Sequence, residues 1–211
     1  MLTYFLLPLL PVLPGFSAEA ASNDNYVKIG LKYGSTAVQT CTLESEEGFL
    51  LGIADDRCFE EGMPLPAYER LMITNENGAI VIRDEDGTLL SADLGSRGCI
   101  MPADYEDDGI IYYENTPYRG GIMLLAKSDG SITVINYLTM EHYVYGVLNS
   151  EMGYTNPEEA LKAQAVTARS FGELNTGKHA KDGFDLCAST CCQVYRGYSG
   201  EYPSIIRATD E

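Results

Sequence analysis

The sequence predicts an α+β fold, in which a β-rich N-terminal module precedes a domain of two helices packed on β-strands. Two patterns support this prediction. Short apolar runs separated by turn dipeptides continue to about residue 136, and from Thr139 the apolar residues recur at helical spacing. The acidic stretch 104–108 has little apolar content, and we interpret it as a boundary between a module at 21–103 and a domain at 109–211. An ordinary charged loop would have the same composition.

The size and charge of the chain limit the classes of function. Its 211 residues are enough for a hydrophobic core of ordinary size. Acidic residues outnumber basic ones by 31 to 14, which gives a formal net charge of -17. Such a charge repels nucleic acid and anionic lipid, so we expect no nucleic-acid partner.

The first residues resemble an export signal. Residues 2–16 are almost wholly apolar and are followed by Ala18, Glu19 and Ala20, the small-x-small pattern that a signal peptidase accepts. We therefore predict a signal peptide over residues 1–20 and a protein that acts outside the cytoplasm. A membrane anchor is the alternative, but the run is short and contains three prolines. No Lys or Arg precedes the run, although export signals normally begin with one.

Strand and hairpin patterns fill the N-terminal part. Residues 26–33 alternate with the period-2 pattern of a half-buried strand, which Gly34 and Ser35 end. Hairpin turns are predicted at Asn77-Gly78, Asp86-Gly87 and Asp129-Gly130. The last of these turns separates predicted strands at 122–126 and 132–136.

A first helix is predicted from Thr139 to about Glu151. One stripe of this helix contains Met140, Tyr143, Val144, Val147, Leu148 and Glu151. The stripe turns Glu151 inward, and because desolvation disfavours a carboxylate, a buried Glu151 would be protonated and could act as a general acid. Alternatively, the helix frays at Ser150 and Glu151 lies in a surface loop.

A second helix is predicted from Asn156 as N-cap, through Pro157 at the first helical position, to about Thr176 before Gly177. Alanines are spread around this helix, so we expect it to be buried on several sides. Gln164 and Arg169 would then need polar partners.

Cysteines and one histidine form a second group of candidates. Cys187, Cys191 and Cys192 follow His179 closely, and sulfur with imidazole suits a zinc ion. Disulfides with Cys41, Cys58 and Cys99 are equally consistent with an exported chain of six cysteines. We expect that adjacent Cys191 and Cys192 cannot both serve one metal without strain.

Tyrosines are frequent from Tyr112 onward, and their rings suit stacking on sugars, although half-buried packing is their commoner role. The sequence contains no Gly-rich phosphate loop, no G-x-S-x-G elbow and no H-E-x-x-H motif. Nucleotide chemistry and the common hydrolase motifs therefore have no support.

Three segments together resemble one family. They are Y-V-Y-G-V-L-N-S-E-M-G (143–153), E-E-A-L-K-A-Q-A-V-T-A-R-S-F (158–171) and F-D-L-C-A-S-T-C-C-Q-V-Y-R-G (184–197). In this order they resemble the stage II sporulation protein D family, which includes the amidase-enhancer proteins. The resemblance covers about residues 109–209.

The resemblance implies a lytic transglycosylase that cuts glycan strands already stripped of stem peptides and leaves 1,6-anhydro-N-acetylmuramic acid ends. The glutamate of the S-E-M motif, here Glu151, would be the catalytic acid. The implied metal is Zn²⁺, bound by Cys187 and Cys192 with His179 as a possible third ligand. Many relatives have histidine where this chain has Cys191.

We expect the helices that carry Glu151 and Arg169 to line a glycan groove, in which Gln164, Tyr154 and Tyr195 also contact the substrate. The expected partner is peptidoglycan, at the cell wall or a sporulation septum. The alternative is a non-catalytic wall-binding activator of an N-acetylmuramoyl-L-alanine amidase. Relatives continue beyond the position of Glu211 through a serine- and glycine-rich motif, so we expect the domain to be C-terminally incomplete.

Overall fold

Two β-sheets form most of the protein in the computed structural model, which describes residues 25–56 and 58–211. The predicted signal peptide lies outside these residues. Sheet A contains, in spatial order, β13 (Leu186–Cys187), β1 (Tyr26–Lys32), β12 (Ile132–Thr139), β11 (Gly121–Ala126), β8 (Gly98–Pro102), β3 (Phe49–Ala54) and β4 (Phe59–Leu65). Sheet B contains, in spatial order, β10 (Thr116–Arg119), β9 (Ile110–Tyr113), β2 (Thr40–Glu44), β5 (Arg70–Glu76), β6 (Ala79–Arg83) and β7 (Leu89–Ser91).

Three α-helices follow in the C-terminal part: α1 (Met140–Met152), α2 (Glu158–Leu174) and α3 (Pro203–Asp210). Strands dominate the N-terminal part, so the predicted α+β class is confirmed. Among the described residues no helix is both long and apolar enough to cross a membrane.

The main hydrophobic core lies between the two sheets. Alternate residues of β2, β5 and β6 face alternate residues of β3, β11 and β12, as period-2 strands with one buried face require. Representative members of this core are Leu43, Ile73, Ile82, Leu51, Leu124 and Val134, all of them buried.

The helices cover another part of the same face of sheet A. Val27, Ile29 and Leu138 pack against apolar residues of α1 and α2. Leu31 and Tyr118 contact both this cluster and the inter-sheet core, so the two cores adjoin. The opposite face of sheet A is covered partly by Phe184, which precedes β13.

Strand β1 joins the two parts of the sequence. It pairs antiparallel with β12, from Tyr26 opposite Thr139 onward, and parallel with β13 on its other side. Sheet B likewise pairs β2 with β9, so strands from both sides of residues 104–108 share each sheet. The proposed division at 103 and 109 remains a prediction.

Most of the predicted elements are observed within a few residues of their expected bounds. The hairpins at Asn77-Gly78, Asp86-Gly87 and Asp129-Gly130 connect β5 to β6, β6 to β7 and β11 to β12. The prediction that α2 is buried on several sides is wrong. Its buried positions form a single face, and Val166 is 60% and Leu174 86% exposed, because spread-out alanines do not by themselves bring a neighbour to each side.

Candidate functional site

The C-terminal end of α1 is held by polar side chains of the loop that follows it. Gly153 ends the helix at a positive φ of 78°. The Asn149 side chain accepts a hydrogen bond from the backbone amide of Tyr154 at 3.1 Å, and the Asn156 side chain donates to the carbonyl of Met152. This loop therefore has a defined course next to the last helical turn.

Glu151 lies in that last turn and is exposed. The prediction that it turns inward is wrong, although the helix does extend past it to Met152. Val147 and Leu148 are the last residues of α1 that are buried, and beyond them no element of the described part of the chain covers the stripe. Glu151 forms no hydrogen bond or ion pair with the described residues, so its carboxylate is available to a ligand.

Aromatic and basic side chains lie beside Glu151. The rings of Tyr154 and Tyr202 stack with centroids 3.9 Å apart and planes 4° from parallel, and Tyr154 is 43% exposed. The exposed Arg196 donates from Nε to the Ser150 hydroxyl at 3.0 Å. Arg196 was not among the predicted site residues, although it follows Tyr195 directly within the third of the segments that resemble the family.

Tyr195 is buried, with 7% of its surface exposed, and this burial does not support the predicted contact with substrate. Its hydroxyl donates to the Asn136 side chain at 2.7 Å, and its ring packs on α1 where Gly146 has no side chain to obstruct it. Burial raises the pKa of the Tyr195 hydroxyl well above its usual value. Tyr195 therefore fixes the loop that carries Arg196.

Gln164 and Arg169 lie on α2, and both are half-buried. Arg169 pairs with Glu141 of α1 through Nε at 2.7 Å and Nη2 at 2.5 Å, and it also donates to the carbonyl of Thr209 at 3.1 Å. A guanidinium with these bidentate contacts ties α2 to α1 and to α3.

The opposite end of α1 carries a network of charged groups. Arg119 of β10 donates from Nε to both carboxylate oxygens of Glu201 at 3.0 Å and pairs with Asp108 at 3.1 Å. His142 also contacts Asp108, at 3.2 Å. The side chains of Arg119 and Glu201 are 11% and 4% exposed. Burial raises the pKa of Glu201 to about 7, although Arg119 acts to lower it.

His179, Cys187, Cys191 and Cys192 form one cluster, and the possible ligand atoms of these four residues all lie within 4.8 Å of one another. The Sγ atoms of Cys192 and Cys191 lie 3.5 Å and 3.9 Å from His179 Nε2. Both adjacent cysteines lie in the cluster, and the expectation that they cannot both serve one metal without strain stays a prediction. A turn closed by the amide of Cys192 on the carbonyl of Ser189 at 3.0 Å brings both near the histidine.

The donor set of this cluster fits a zinc ion. Three thiols and one imidazole are the ligands of a closed, tetrahedral Cys₃His site. Burial alone acts to raise the pKa of the Cys187 thiol, but hydrogen bonds from Ser189, Tyr33 and Cys192 lower it to about 6. A thiol that ionises readily is suited to metal binding. The six cysteines all lie among the described residues, and they form no disulfide there.

Comparisons with known proteins concern the part of the chain that contains the three helices and the cysteine cluster. Residues 128–211 match the family model described as Stage II sporulation protein. An uncharacterized protein of Brachyspira hyodysenteriae is 43% identical over 94 residues, which are 44% of this chain and 25% of that protein. No solved structure matches. The resemblance to stage II sporulation proteins is therefore confirmed for residues 128–211, and it is consistent with a cell-wall-related sporulation protein.

Proposed function

We propose that the protein is a lytic transglycosylase that cleaves peptidoglycan glycan strands stripped of their stem peptides, with Glu151 as its catalytic residue. The observation that carries this proposal is the position of Glu151. It is an exposed carboxylate that pairs with no described residue, on the last turn of α1, inside the segment that matches the sporulation family and three residues before Tyr154 of the Tyr154–Tyr202 stack.

A single carboxyl group can perform this reaction. Protonated Glu151 donates its proton to the glycosidic oxygen, and the bond between that oxygen and the anomeric carbon of N-acetylmuramic acid breaks. The C6 hydroxyl of the same sugar then bonds to the anomeric carbon and gives its proton to Glu151. The products are a free 4-hydroxyl and a 1,6-anhydro end, no water is consumed, and the acid is regenerated.

The neighbours of Glu151 suit a stripped glycan strand. A sugar ring can stack on the exposed part of the Tyr154–Tyr202 pair, which holds the glycosidic bond near the helix end. Removing a stem peptide leaves a carboxylate on each muramic acid, and Arg196 can pair with it. A local cation is needed here because the chain as a whole is strongly acidic.

His179, Cys187, Cys191 and Cys192 are proposed to bind a structural zinc ion. Zinc has no redox chemistry, and in a four-ligand site its contribution is to fix the chain. The ligands span the segment from the end of α2 to the loop before Tyr195, so they would hold the backbone that presents Arg196. Activity on peptidoglycan also requires a location outside the cytoplasm, at the wall-facing side of the membrane or at a sporulation septum.

Mass spectrometry of reaction products tests the proposal. The chain is mixed with peptide-free glycan strands, beside a Glu151→Gln variant and a Glu173→Gln control, which removes an exposed carboxylate from α2. We expect anhydro-ended fragments from the parent chain and from the control, and none from Glu151→Gln. Equal cleavage by Glu151→Gln would overturn the assignment of Glu151.

The alternative function is that of a wall-binding protein that activates an N-acetylmuramoyl-L-alanine amidase. The exposure of Glu151 favours this alternative, since a general acid in the free enzyme is usually desolvated. It predicts that the chain binds strands, or raises the rate of a wall amidase, without forming anhydro ends. The product analysis separates the two functions.

A further inference from the structure

One segment of the chain runs across the middle of α1 and links its two ends. This segment is residues 196–202, here called the crossing segment. The backbone amide of Arg196 donates to the carbonyl of Gly146 at 3.2 Å. Residues Gly197–Gly200 form a short 3₁₀ helix, and Gly200 lies so close to α1 that an added Cβ would stand 2.6 Å from the same carbonyl oxygen. The backbone of the crossing segment is therefore in direct contact with the backbone of α1.

The two terminal residues of the crossing segment reach the accessible end of α1. Arg196 donates to the hydroxyl of Ser150, and the ring of Tyr202 stacks on that of Tyr154. Ser204, which follows the segment, donates to the carbonyl of Tyr154 at 2.9 Å. The basic and aromatic groups that the proposed function assigns to glycan binding therefore depend on where the crossing segment lies.

Arg119 of β10 holds the crossing segment at residues between these two ends. Its Nε donates to both carboxylate oxygens of Glu201 at 3.0 Å. Its guanidinium carbon lies 5.1 Å from the centre of the Tyr198 ring. Glu201 directly precedes Tyr202, so the contact with Arg119 fixes the backbone from which that ring projects.

The pair of Arg119 and Glu201 is better suited to fixing a geometry than to stabilising the fold. The two side chains are 11% and 4% exposed, and the cost of taking two charges out of water largely offsets their attraction. A carboxylate that is held through both of its oxygens has little freedom to turn. The guanidinium is itself held by Asp108 at 3.1 Å. The crossing segment consequently has a defined position relative to β10.

We propose that Arg119 acts through Glu201 as a positioning residue for glycan binding. It holds the crossing segment in the place from which Arg196 and Tyr202 contact the strand. This inference rests on the proposed function, since it takes a stripped glycan strand to bind beside the C-terminal end of α1. It also gives a role in the site to a residue that precedes the family segment 128–211.

Isothermal titration of the full chain with peptide-free glycan strands tests the proposal. Every variant also carries Glu151→Gln, so that strands are not cleaved during the titration, and the reference is Glu151→Gln alone. The pH is 8, where Glu201 is ionised because its pKa is about 7. We expect Arg119→Met to weaken strand binding about tenfold. Adding Glu201→Gln to Arg119→Met should weaken it no further, because both changes remove the same contact.

Two further variants separate positioning from loss of stability. Ile82→Ala truncates a buried side chain on β6, which three other strands separate from β10 in sheet B. It should destabilise the fold about as much as Arg119→Met does, yet change strand binding less than about twofold while the chain is folded. Arg119→Lys keeps the charge beside Glu201 but cannot hold both oxygens in the same geometry, and it should weaken binding about threefold.

Hydrogen exchange gives a second readout that needs no ligand. Arg119→Met should raise exchange at residues 196–204 above the level in Ile82→Ala. Strand binding equal to that of the reference in both Arg119 variants, equal weakening by Ile82→Ala, or equal exchange at 196–204 would overturn the positioning role.

Failure of the proposed function has a different result. Strands that bind, but are never converted to anhydro ends by the chain with Glu151 intact, would overturn the transglycosylase and leave the positioning role in place. A reference chain that binds no strands would overturn both proposals.

Discussion

The two ends of α1 carry similar charged side chains, but the two sets differ in how many partners they have. At the N-terminal end, Glu141 holds Arg169 in a bidentate pair, and His142 contacts the network of Asp108, Arg119 and Glu201. At the C-terminal end Glu151 is exposed and pairs with no described residue, and the nearby Arg196 side chain donates a hydrogen bond to the Ser150 hydroxyl. The charged side chains at the N-terminal end of α1 join it to other elements of the fold. Those at the C-terminal end stay accessible, as side chains that bind a ligand must be.

Loss of the metal should have the largest effect, and it should affect the accessible end of α1. Cys187→Ser is expected to lose one bound zinc per chain and about 5 kcal/mol of unfolding free energy. Arg196 follows the cluster and donates to Ser150 in the last turns of α1, so hydrogen exchange should increase at 179–196 more than around Glu141. Elemental analysis and thermal melting with and without a chelator measure both effects. Cys58→Ser is the control that should keep its zinc, and a parent chain purified without zinc would contradict the prediction.

Disruption of the buried network of Arg119 and Glu201 should have the second-largest effect on stability. Arg119→Met leaves the carboxylate of Glu201 buried without its partner, and we expect a loss of about 3 kcal/mol in urea unfolding. Arg83→Met is the matched control, because it removes an arginine from an exposed pair with Glu76 and should cost less than about 1 kcal/mol. Equal losses would show that the charges at this end of α1 do not stabilise the fold.

The protonation of Glu201 should make stability depend on pH. The folded protein holds a proton on Glu201 up to a pKa of about 7, whereas the unfolded chain releases it near 4.5. The folded state therefore binds more protons between these values, and the contribution of Glu201 to stability falls as the pH rises from about 4.5 to 7. Urea unfolding at pH 5 and pH 8 should show a decrease of about 2.5 kcal/mol that Glu201→Gln removes. If the unfolding free energies of the parent chain and of Glu201→Gln differ by the same amount at both pH values, the predicted role of Glu201 is wrong.

The smallest effect is expected at Glu151 itself. Glu151→Gln should change the unfolding free energy by less than about 0.5 kcal/mol, because no described contact is lost. Glu141→Gln breaks the bidentate pair with Arg169 and should cost about 1 kcal/mol. If Glu151→Gln destabilises the protein more than Glu141→Gln does, the contrast between the two ends of α1 is wrong.

The sequence predicts local features of this fold better than distant ones. Period-2 runs, turn dipeptides and caps lie within a few residues of one another, and they locate β1, three hairpins and both long helices. Whether a helical stripe is covered depends on elements elsewhere in the chain, and for this reason the burial of Glu151 and of α2 was predicted wrongly. The cysteine cluster follows the same rule. His179 and the three cysteines are close in sequence, and the structure brings them together as predicted. The network of Arg119 with Glu201 joins distant segments and carries no local signal.

The pairing of β1 with β12 has a consequence for the synthesis of the protein. Tyr26 leaves the ribosome roughly a hundred residues before its partner Thr139, at least several seconds earlier. Until then β1 has neither of its neighbours in sheet A, because β13 is made later still. Contacts between such distant residues slow folding, so the nascent chain stays open with its apolar strand exposed. Under the location outside the cytoplasm that we propose, this delay would keep the chain unfolded, and so competent for translocation, until β12 and β13 are made.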